Sequence, residues 1–581
     1  MRLTRVIRIT TLLLACVALP ARAQSDGADT PPEAATGRVT KHLVTAKRHM
    51  VVAADPLAAE AGRAMLRAGG NALDAAIAVQ MVLNMVEPQS SGIGGGGFLI
   101  HYDAKTRRMA AWDGRETAPA AATPERFLVD GKPLRFGDAV ASGLSVGVPG
   151  VLAMLEAAHR AHGRLPWQAL FAPALRLADD GFPVSQRLAE LIASDTLLSK
   201  NTAARALFHH PDGTPLRAGE TLNNPELGRV LRTISREGAK AFYQGDIAAD
   251  IVAAVHAHMR PGDMTVQDIA AYQPRRREVL CSVYRTQHIC GMPPPSSGTA
   301  TIAMMLAMLE RFPLAKMKPG SLEAVHLFSE AGRLAYADRD RYLADPDFVT
   351  PPLAQLLDRN YLARRSALIR DDRSLGTAPP GDFAGAQAFG DDHTAALPST
   401  TQISVVDDDG NAVSFTSSVE SAFGSRILVR GFLLNNQLTD FSLLPSSNGM
   451  PAANRVEPGK RPRSSMAPTL VFDAQNRLRY VLGSPGGSMI INYVAKTLVG
   501  LIDWKLDAQQ AADLPNFGSR NRTTELEAGT AAEDLAPQLR ARGHAVRVLP
   551  MSSGVHVIAI TPGKGLSGGA DPRREGVALG D

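Results

Sequence analysis

The sequence predicts an α/β protein in which helices and strands alternate along one interlocked body. An apolar helical region follows Asp55, and a strand, a turn and a second strand follow Ser399. The chain of 581 residues is long enough for several cores, but it contains no internal repeat and no Ser/Gly linker between folded segments. We therefore expect the helices and strands to share one body.

Two adjacent helices are predicted near the start of the folded chain. Asp55 is a suitable N-cap with Pro56 at the first helical position, so a helix is expected over Leu57–Ala68, before a pair of glycines. Asn71 caps a second helix that runs through Val86. Both helices are apolar on wide faces, and we expect both to be buried.

A glycine-rich segment follows these helices and matches a dinucleotide-binding pattern in spacing only. Gly92, Gly94 and Gly97 have the GxGxxG spacing, but they follow a helix and precede a predicted strand, Phe98–Tyr102. The nucleotide-binding pattern requires a strand, a turn and a helix in that order. We interpret the glycines as a tight backbone crossing near the functional site, and NAD is not implied.

The junction between Ser399 and Thr400 is the most informative part of the chain. Residues 371–399 are rich in Gly, Ala and Asp with few large apolar side chains, which predicts a solvated, mobile segment. A β-rich run begins abruptly at Thr400. A threonine here becomes a nucleophile if the preceding peptide bond breaks, because the freed α-amine supplies the base that a hydroxyl lacks. The alternative is that Thr400 merely opens a strand, and the local pattern alone favours that interpretation.

A hairpin is predicted directly after this junction. Asp409-Gly410 is a strong turn signal between a run that ends at Val406 and a return strand, Ala412–Thr416. With a two-residue loop, the numbers of paired residues sum to about 819, which places Ser418 opposite Thr401. We therefore expect Ser418 beside the threonine pair.

Residues 1–23 are predicted to be a secretory signal. Arginines at the start, an apolar run over Ile9–Leu19 and the small-x-small segment Ala21–Ala23 form the usual three parts. A lipoprotein signal at Cys16 is the alternative, but the apolar run continues past that cysteine. No other segment approaches the ~20 apolar residues that span a bilayer. We expect a periplasmic or secreted protein with no membrane association after signal removal.

The charge balance gives no indication of a nucleic-acid partner. The chain has 62 Lys and Arg against 57 Asp and Glu, a net charge of +5. Four of the arginines lie in residues 1–23, so 58 basic residues remain against 57 acidic ones. The mature chain is therefore almost neutral, and no nucleic acid is expected.

Two cysteines remain after signal removal. Cys281 and Cys290 flank two short predicted strands joined by a polar loop, so they can face each other across a hairpin and form a disulfide in an oxidising compartment. Two free buried thiols are the alternative. A metal site is not expected because no paired histidines or second CxxC motif lie near them, and no cofactor is predicted.

Eight short motifs are spread over nearly the whole mature chain. They are SGIGGGGF from Ser91, GRETAP from Gly114, MPPPSSG from Met292, TTQISVVDDDGNAVSFTSS from Thr400, GFLLNNQLTDFS from Gly431, KRPRSSMAPTLVF from Lys460, GSPGGS from Gly483 and GADPR from Gly569. In this set and order the chain resembles the γ-glutamyltransferases, also called glutathione hydrolases, of the N-terminal-nucleophile hydrolase superfamily. The resemblance implies a four-layer α/β/β/α sandwich.

The resemblance also implies maturation by self-cleavage between Ser399 and Thr400. The precursor would give a large subunit, residues 24–399, and a small subunit, residues 400–581, which form one heterodimer. Thr400 would be the nucleophile, with Ser418 as a supporting hydroxyl. The backbone amides of Gly486 and Gly487 would form the oxyanion hole.

The substrate head group would be held by two further sets of residues. The set for the α-carboxylate is Arg115, Ser464 and Ser465, and a guanidinium suits bidentate binding. The set for the α-ammonium is Glu420, Gln437 and Asp440.

The implied activity is cleavage of glutathione and other γ-glutamyl amides through a γ-glutamyl enzyme, with transfer to water or to amino acid or dipeptide acceptors. One alternative is a cephalosporin acylase of the same superfamily, which cleaves glutaryl amides that lack the α-amine. The predicted ammonium ligands argue against it. A second alternative is an exported γ-glutamyl-binding protein without turnover, which would need neither Thr400 nor cleavage.

Overall fold

The computed structural model describes residues 37–392, 394 and 399–581, so the predicted signal lies outside the described residues. The helices are α1 Pro56–Arg67, α2 Ala72–Val86, α3 Phe136–Val140, α4 Val151–His162, α5 Ala172–Asp180, α6 Gln186–Ser194, α7 Thr202–Phe208, α8 Pro225–Glu237, α9 Lys240–Tyr243, α10 Asp246–His256, α11 Val266–Ala270, α12 Gly298–Leu309, α13 Leu322–Tyr342, α14 Leu353–Leu356, α15 Arg359–Ser366, α16 Ile490–Ile502, α17 Ala508–Asp513 and α18 Ala536–Ala541. None of these described helices has both the length and the apolar character needed to cross a bilayer.

The strands are mostly short. They are β1 Val44–Ala46, β2 Met50–Ala53, β3 Gly96–Asp103, β4 Arg108–Asp113, β5 Leu128–Val129, β6 Lys132–Pro133, β7 Phe182–Pro183, β8 Thr221–Leu222, β9 Arg275–Arg277, β10 Leu280–Tyr284, β11 Gln287–Gly291, β12 Thr401–Val406, β13 Ala412–Ser418, β14 Leu428–Val429, β15 Phe432–Leu433, β16 Ser446–Ser447, β17 Met450–Pro451, β18 Thr469–Phe472, β19 Leu478–Gly483, β20 Phe517–Ser519, β21 Thr524–Glu527, β22 Val546–Leu549, β23 His556–Thr561, β24 Gly565–Ala570 and β25 Val577–Gly580.

Two seven-stranded antiparallel sheets face each other at the centre of the molecule. The first has the order β25-β2-β12-β13-β3-β4-β9 and the second the order β1-β24-β23-β19-β18-β11-β10. Strands β12 and β13 contact β19 across the interface between the sheets. Helices α1 and α2 pack on the first sheet, and α12, α16 and α17 pack on the second. The predicted α/β/β/α sandwich is confirmed.

The two predicted helices are present, and the first is shifted by one residue at each end. Asp55 caps α1 by accepting a hydrogen bond from the Leu57 amide at 2.7 Å, and Asn71 forms a capping box with Asp74 at the start of α2. Every residue of α2 is buried because α1, α5 and the first sheet surround it. Helices α1 and α2 therefore form a layer on one face of the first sheet, which contains the hairpin strands β12 and β13.

The hairpin is present, but its predicted register is wrong by one residue. Thr401 pairs with Ser417 rather than with Ser418, because the strands are joined by a five-residue loop that begins at Asp407. The Asp407 carboxylate accepts hydrogen bonds from two backbone amides of that loop, at 3.0 and 2.9 Å, which stabilises the longer connection. The shift brings Ser418 level with Thr400.

The segment before the predicted cleavage site lacks helices and strands, and most of its described residues are exposed or partly exposed, as expected of a solvated chain. A few positions are exceptions. Phe389 is only 3% exposed. The Gly381 amide donates a hydrogen bond of 2.7 Å to Asp338, a buried carboxylate on α13. Hydrogen bonds to polar side chains of α13 therefore fix part of this segment, although the segment has no helix or strand of its own. Residues 393 and 395–398 lie outside the described residues.

The two cysteines lie on the hairpin at one edge of the second sheet. Cys281 on β10 and Cys290 on β11 form a cross-strand pair and are joined by a disulfide. The predicted disulfide is therefore present, and the alternative of two free thiols is excluded by the structure.

Candidate active site

Thr400 lies immediately before β12, near the centre of the first sheet, and is only 4% exposed. Its hydroxyl Oγ1 lies 2.5 Å from the carbonyl oxygen of Ser399 and 3.3 Å from Ser418 Oγ. Its own carbonyl accepts a hydrogen bond from Arg574 Nη1 at 3.0 Å. The hydroxyl is therefore held against the peptide group that it is predicted to attack.

Ser418 contacts both sides of this peptide group. Its hydroxyl donates to the Ser399 carbonyl at 2.8 Å and accepts from the Glu420 amide at 2.8 Å. A donor on a carbonyl oxygen stabilises the negative charge that develops there during acyl transfer. The Ser418 hydroxyl therefore lies at the predicted cleavage site, as expected, although the register used to find it was wrong by one residue.

The glycine loop before α16 approaches the same point. Gly486 and Gly487 have φ values of +135° and +56°, a region that favours glycine. A Cβ at Gly486 would lie 2.5 Å from the Tyr493 ring. Gly487 lines the cavity at Thr400, whereas Gly486 precedes it and does not.

The glycines near the start of β3 make a close crossing, as predicted. A Cβ at Gly94 would lie 2.1 Å from the Leu433 carbonyl oxygen, and one at Gly95 would lie 2.1 Å from that of Ser418. These glycines let a second backbone approach the end of β13, where Ser418 lies.

A small cavity of about 30 Å³ brings the predicted residues together, and we call it the nucleophile cavity. It is lined by every predicted catalytic, binding and cleavage residue except Gly486, namely Arg115, Ser399, Thr400, Ser418, Glu420, Gln437, Asp440, Ser464, Ser465 and Gly487. Because Ser399 forms part of its wall, the uncut chain leaves no room for a glutamyl group.

Arg115 is completely buried beside this cavity. Its Nη2 donates to Asp440 Oδ2 at 2.5 Å and to the Arg463 carbonyl at 3.1 Å, and its Nε donates to the Pro462 carbonyl at 3.1 Å. Its Nη1 has no hydrogen-bond partner among the described residues. One side of the guanidinium is therefore fixed, and Nη1 remains for an anion.

The Glu116 carboxyl lies near this nitrogen, at 3.7 Å from Arg115 Nη1. Burial raises the pKa of Glu116 to about 8, with the Arg115 guanidinium opposing the shift. At neutral pH Glu116 is therefore mainly protonated. A neutral carboxyl competes weakly with a substrate carboxylate for Arg115.

A group of hydrogen-bond acceptors lies beside Arg115 in the same cavity. Gln437 Nε2 donates to Asp440 Oδ2 at 2.8 Å, while Gln437 Oε1 is buried without a hydrogen-bond partner among the described residues. Glu420 Oε2 accepts from Asn436 Nδ2 at 2.6 Å, and the Glu420 backbone has a positive φ of 83°. Two carboxylates and an amide oxygen suit an ammonium group.

The two adjacent serines also line the cavity. Ser465 Oγ accepts a hydrogen bond from Arg339 Nη2 at 2.7 Å, and Ser464 Oγ accepts one from the Met466 amide at 3.1 Å. A hydroxyl that accepts a hydrogen bond still has a proton to donate. Both serines are therefore suitable donors to a carboxylate.

Sequence reasoning missed several residues of this site. Arg339, Arg463 and Thr394 line the nucleophile cavity, and Arg574 contacts Thr400. Arg463 lies inside the KRPRSS motif and was available from the sequence. Arg339 lies on α13. A charged residue in a helix usually faces solvent, so nothing in the sequence indicated that Arg339 is part of the site.

The described residues contain one group of side chains with the composition of a metal site, His326, Glu330 and His544. His326 Nδ1 lies 2.7 Å from His544 Nε2, and Glu330 Oε1 accepts a hydrogen bond from Arg333 Nε at 2.8 Å. Burial lowers the pKa of His544 to about 4, so it is neutral at neutral pH. These atoms satisfy one another within a buried network, and the group lies outside the nucleophile cavity.

Two facing antiparallel sheets between helical layers, with a buried threonine hydroxyl directly before a central strand, define the class of N-terminal-nucleophile hydrolases. The family model for gamma-glutamyltranspeptidase matches residues 58–581. The glutathione hydrolase proenzyme of Bacillus subtilis is 37% identical over 552 residues, which cover 93% of this chain and 92% of that protein.

Two solved structures are also similar. A cephalosporin acylase from Bacillus halodurans has a TM-score of 0.81 at 27% identity, covering 98% of this chain and 99% of that one. The gamma-glutamyltranspeptidase of Helicobacter pylori has a TM-score of 0.54 at 32% identity, covering 58% of this chain and 94% of that one. The chain belongs to the gamma-glutamyltranspeptidase family. It is an N-terminal-nucleophile hydrolase and acyltransferase.

Proposed function

We propose that the chain is a precursor that cleaves its own Ser399–Thr400 bond and then hydrolyses or transfers γ-glutamyl groups, with glutathione among its substrates. The observation that carries this proposal is the geometry at the junction, where the Thr400 hydroxyl and the Ser418 hydroxyl both contact the Ser399 carbonyl oxygen. The names of the relatives, glutathione hydrolase proenzyme and gamma-glutamyltranspeptidase, support the same substrate and the same processing.

The first step is the attack of Thr400 Oγ1 on the carbonyl carbon of Ser399. The C–N bond breaks, the acyl group moves to the hydroxyl as an ester, and water then releases residues 24–399 from residues 400–581. Ser418 donates to the oxygen that becomes negative in this step. Ser399 is part of the wall of the nucleophile cavity. When its carboxyl group departs, the cavity becomes large enough for the substrate.

The second step uses the same hydroxyl on substrate. The freed α-amine of Thr400 acts as general base, and the hydroxyl attacks the γ-carbonyl to give a γ-glutamyl ester. The backbone amides of Gly486 and Gly487 stabilise the oxyanion. Water, an amino acid or a dipeptide then accepts the γ-glutamyl group.

The charges in the nucleophile cavity favour a γ-glutamyl group over a glutaryl group. A glutaryl amide has the amide carbonyl but no ammonium, so it would not supply the positive charge that suits the acceptors of Glu420, Gln437 and Asp440. The acylase alternative, represented by the Bacillus halodurans structure, is therefore disfavoured by the site itself. A binding protein without turnover would have no use for a hydroxyl held against the Ser399 carbonyl.

Denaturing electrophoresis tests this proposal. The wild-type protein should separate into a large and a small chain, and N-terminal sequencing of the small chain should begin at Thr400. Thr400→Ala should remain one chain. Ser399→Ala is the matched control, because it removes a hydroxyl on the other side of the same bond and leaves the attacked carbonyl in place. Splitting of Thr400→Ala at residue 399 would contradict the proposal.

A further inference from the structure

A buried pair of charged residues contacts Thr400 through its carbonyl group. Arg574, between β24 and β25, donates from Nη1 to the Thr400 carbonyl at 3.0 Å. The same nitrogen lies 3.8 Å from Oε1 of Glu87, the residue that follows α2. Both charged residues are at most 4% exposed, and neither lines the nucleophile cavity. The pair therefore acts on the nucleophile itself and not on the substrate head group.

The contact lies on the side of Thr400 that maturation leaves intact. Cleavage converts the nitrogen of Thr400 from an amide into an amine, while its carbonyl stays bonded to Thr401 at the start of β12. Strand β12 is held between β2 and β13 in the first sheet. Arg574 is therefore positioned to hold Thr400 both in the precursor and in the cleaved enzyme.

The chain that follows Glu87 also contacts the other side of the cleavage site. The Ser399 hydroxyl donates to the Gln89 carbonyl at 2.9 Å, and the Val419 amide donates to the Ser90 carbonyl at 3.1 Å. These two bonds fix the segment after α2 against the junction and against the end of β13. Glu87 is therefore held at a defined position beside the scissile bond.

The freed α-amine of Thr400 must be neutral to accept a proton from the hydroxyl. The ordinary pKa of an α-amino group is about 7.7–8.0, so most such amines are protonated at pH 7. A nearby cation disfavours the ammonium form and lowers this pKa. Arg574 supplies a guanidinium in direct contact with the same residue. Its position thus meets a requirement of the proposed mechanism.

Further charged residues near Thr400 line the nucleophile cavity. They are Arg115, Arg339, Arg463, Glu420 and Asp440. Each of these three arginines pairs with an aspartate. Glu420 accepts a hydrogen bond from Asn436. The positive charges of the cavity wall are therefore balanced by neighbouring carboxylates.

The carboxyl group beside Arg574 titrates near neutral pH. Burial raises the pKa of Glu87 to about 7, and the Arg574 guanidinium opposes this shift. The other charged groups that act on the pair are Asp55, Arg187 and Asp571. Below about pH 7 Glu87 is mainly protonated, so it offsets the charge of Arg574 only weakly. This is the pH range in which an ordinary α-amine would be protonated.

We propose that Arg574 is a positioning residue for Thr400, which it holds by the carbonyl in both steps, and that its charge keeps the freed amine in the neutral form. Glu87 holds Arg574 in place and offsets its charge at higher pH. This inference rests on the proposed function, because it assigns the residues that tune the same nucleophile.

The pKa of the Thr400 amine is the first test. It is measured on the mature wild-type enzyme from the pH dependence of carbamylation by cyanate, read by mass spectrometry of the N-terminal peptide of the small chain. We expect a value about one unit below the ordinary range of an α-amine. A wild-type value within or above that range would overturn the inference.

Two substitutions of Arg574 separate its charge from its hydrogen bond. Arg574→Gln keeps a donor but removes the charge, so it should raise the pKa of the amine by about one unit. Its kcat/KM for a γ-glutamyl anilide should fall about tenfold near pH 6 and stay within about threefold of wild type near pH 9. Arg574→Lys keeps the charge and should have the wild-type pH profile. Arg135→Gln is the control, because the Arg135 side chain is 84% exposed and lies outside the nucleophile cavity. It should leave the profile unchanged.

A purely structural role of Arg574 would lower activity at every pH and would affect Arg574→Gln and Arg574→Lys alike. That result, or an equal amine pKa in the wild type and Arg574→Gln, would overturn the inference and leave the proposed function in place. If Arg574→Gln stays uncleaved on a gel, the wild-type amine and Glu87→Gln decide. Glu87→Gln should lower the pKa of the amine, because it removes the charge that offsets Arg574, and a rise would overturn the inference. Absence of Thr400-dependent turnover in the wild type would overturn both proposals.

Discussion

The nucleophile cavity and a larger cavity of about 320 Å³ share Arg339, Thr394 and Arg463 as a wall, but their charged groups are held differently. In the first, Arg115 is fixed by three hydrogen bonds, and its Nη1 has no hydrogen-bond partner among the described residues. In the larger cavity, four arginines each pair with a carboxylate, namely Arg339, Arg341, Arg463 and Arg520. The contacts of Arg115 are made among buried groups, whereas the larger cavity contains side chains that reach solvent. Changes in the first cavity should therefore have larger effects than changes in the second.

The largest effect on turnover is expected from substitution of Thr400, because its hydroxyl is proposed to attack the amide that joins the γ-glutamyl group to the amine. Thr400→Ala should lower the turnover of a γ-glutamyl anilide by about 10³-fold or more, because it removes the nucleophile. Thr400→Ser keeps a hydroxyl and should retain both cleavage and measurable turnover. Both rates are read from release of the nitroaniline. A Thr400→Ala variant as active as Thr400→Ser would remove Thr400 from the mechanism.

The next effect concerns the α-carboxylate. Arg115→Ala should lower kcat/KM for a γ-glutamyl anilide by roughly tenfold to a hundredfold, since a charged hydrogen-bond partner is worth about 1.5–3 kcal/mol. Arg115→Lys keeps the positive charge but loses the two parallel N–H donors of the guanidinium. Its kcat/KM should therefore lie between those of Arg115→Ala and the wild type. Cleavage at residue 399 on a gel is the control for folding. Equal kcat/KM for the wild type and Arg115→Ala would place the carboxylate elsewhere.

The ammonium side is tested with a γ-glutamyl anilide and its glutaryl analogue. The wild-type enzyme should prefer the γ-glutamyl compound by about tenfold or more, because the glutaryl analogue lacks the ammonium that Glu420 and Asp440 are proposed to bind. Glu420→Gln should shrink this preference, mainly through loss of activity on the γ-glutamyl compound. Asp440→Asn adds to the effect but also removes a partner of Arg115. A wild-type preference for the glutaryl compound would favour the acylase alternative.

Most of the fold and most of the nucleophile cavity were predictable from the sequence. Local signals were sufficient for the caps at Asp55 and Asn71, because a cap depends on a few neighbouring residues. The register of the hairpin was not predictable from its turn residues alone. Asp407 accepts hydrogen bonds from the loop and also from the Ala72 amide on α2, a contact that only the folded chain creates.

The larger cavity beside the nucleophile cavity was not predictable because its residues come from distant parts of the chain. Arg341 follows a helical pattern on α13, while Arg522 lies in a turn between two short strands. In the sequence, each of these two arginines is typical of a charged residue that is exposed to solvent. Likewise, the segment near Phe389 has the composition of a mobile loop, yet Asp338 and its neighbours on α13 hold it.

The smallest effect concerns Glu116 and the pH dependence of stability. The folded protein keeps a proton on Glu116 up to a pKa of about 8, whereas the ordinary value for a glutamate is 4.5. Its contribution is therefore favourable below about pH 4.5 and is lost as the pH rises toward 8. Glu116→Gln lacks this loss, so its Tm relative to wild type should increase by a few degrees between pH 5 and pH 8. A difference in Tm that is constant with pH would contradict the assignment.

The central claim is that the Thr400 hydroxyl first cleaves the Ser399–Thr400 bond and then forms an ester with the γ-glutamyl group of the substrate. The direct measurement is acid quenching of the enzyme during turnover of a γ-glutamyl anilide, followed by peptide mapping of the small chain by mass spectrometry. We predict that the small chain begins at Thr400 and that its N-terminal peptide carries the added mass of one γ-glutamyl group. A γ-glutamyl group on Ser418 or elsewhere, or a small chain that begins at another residue, would contradict the claim.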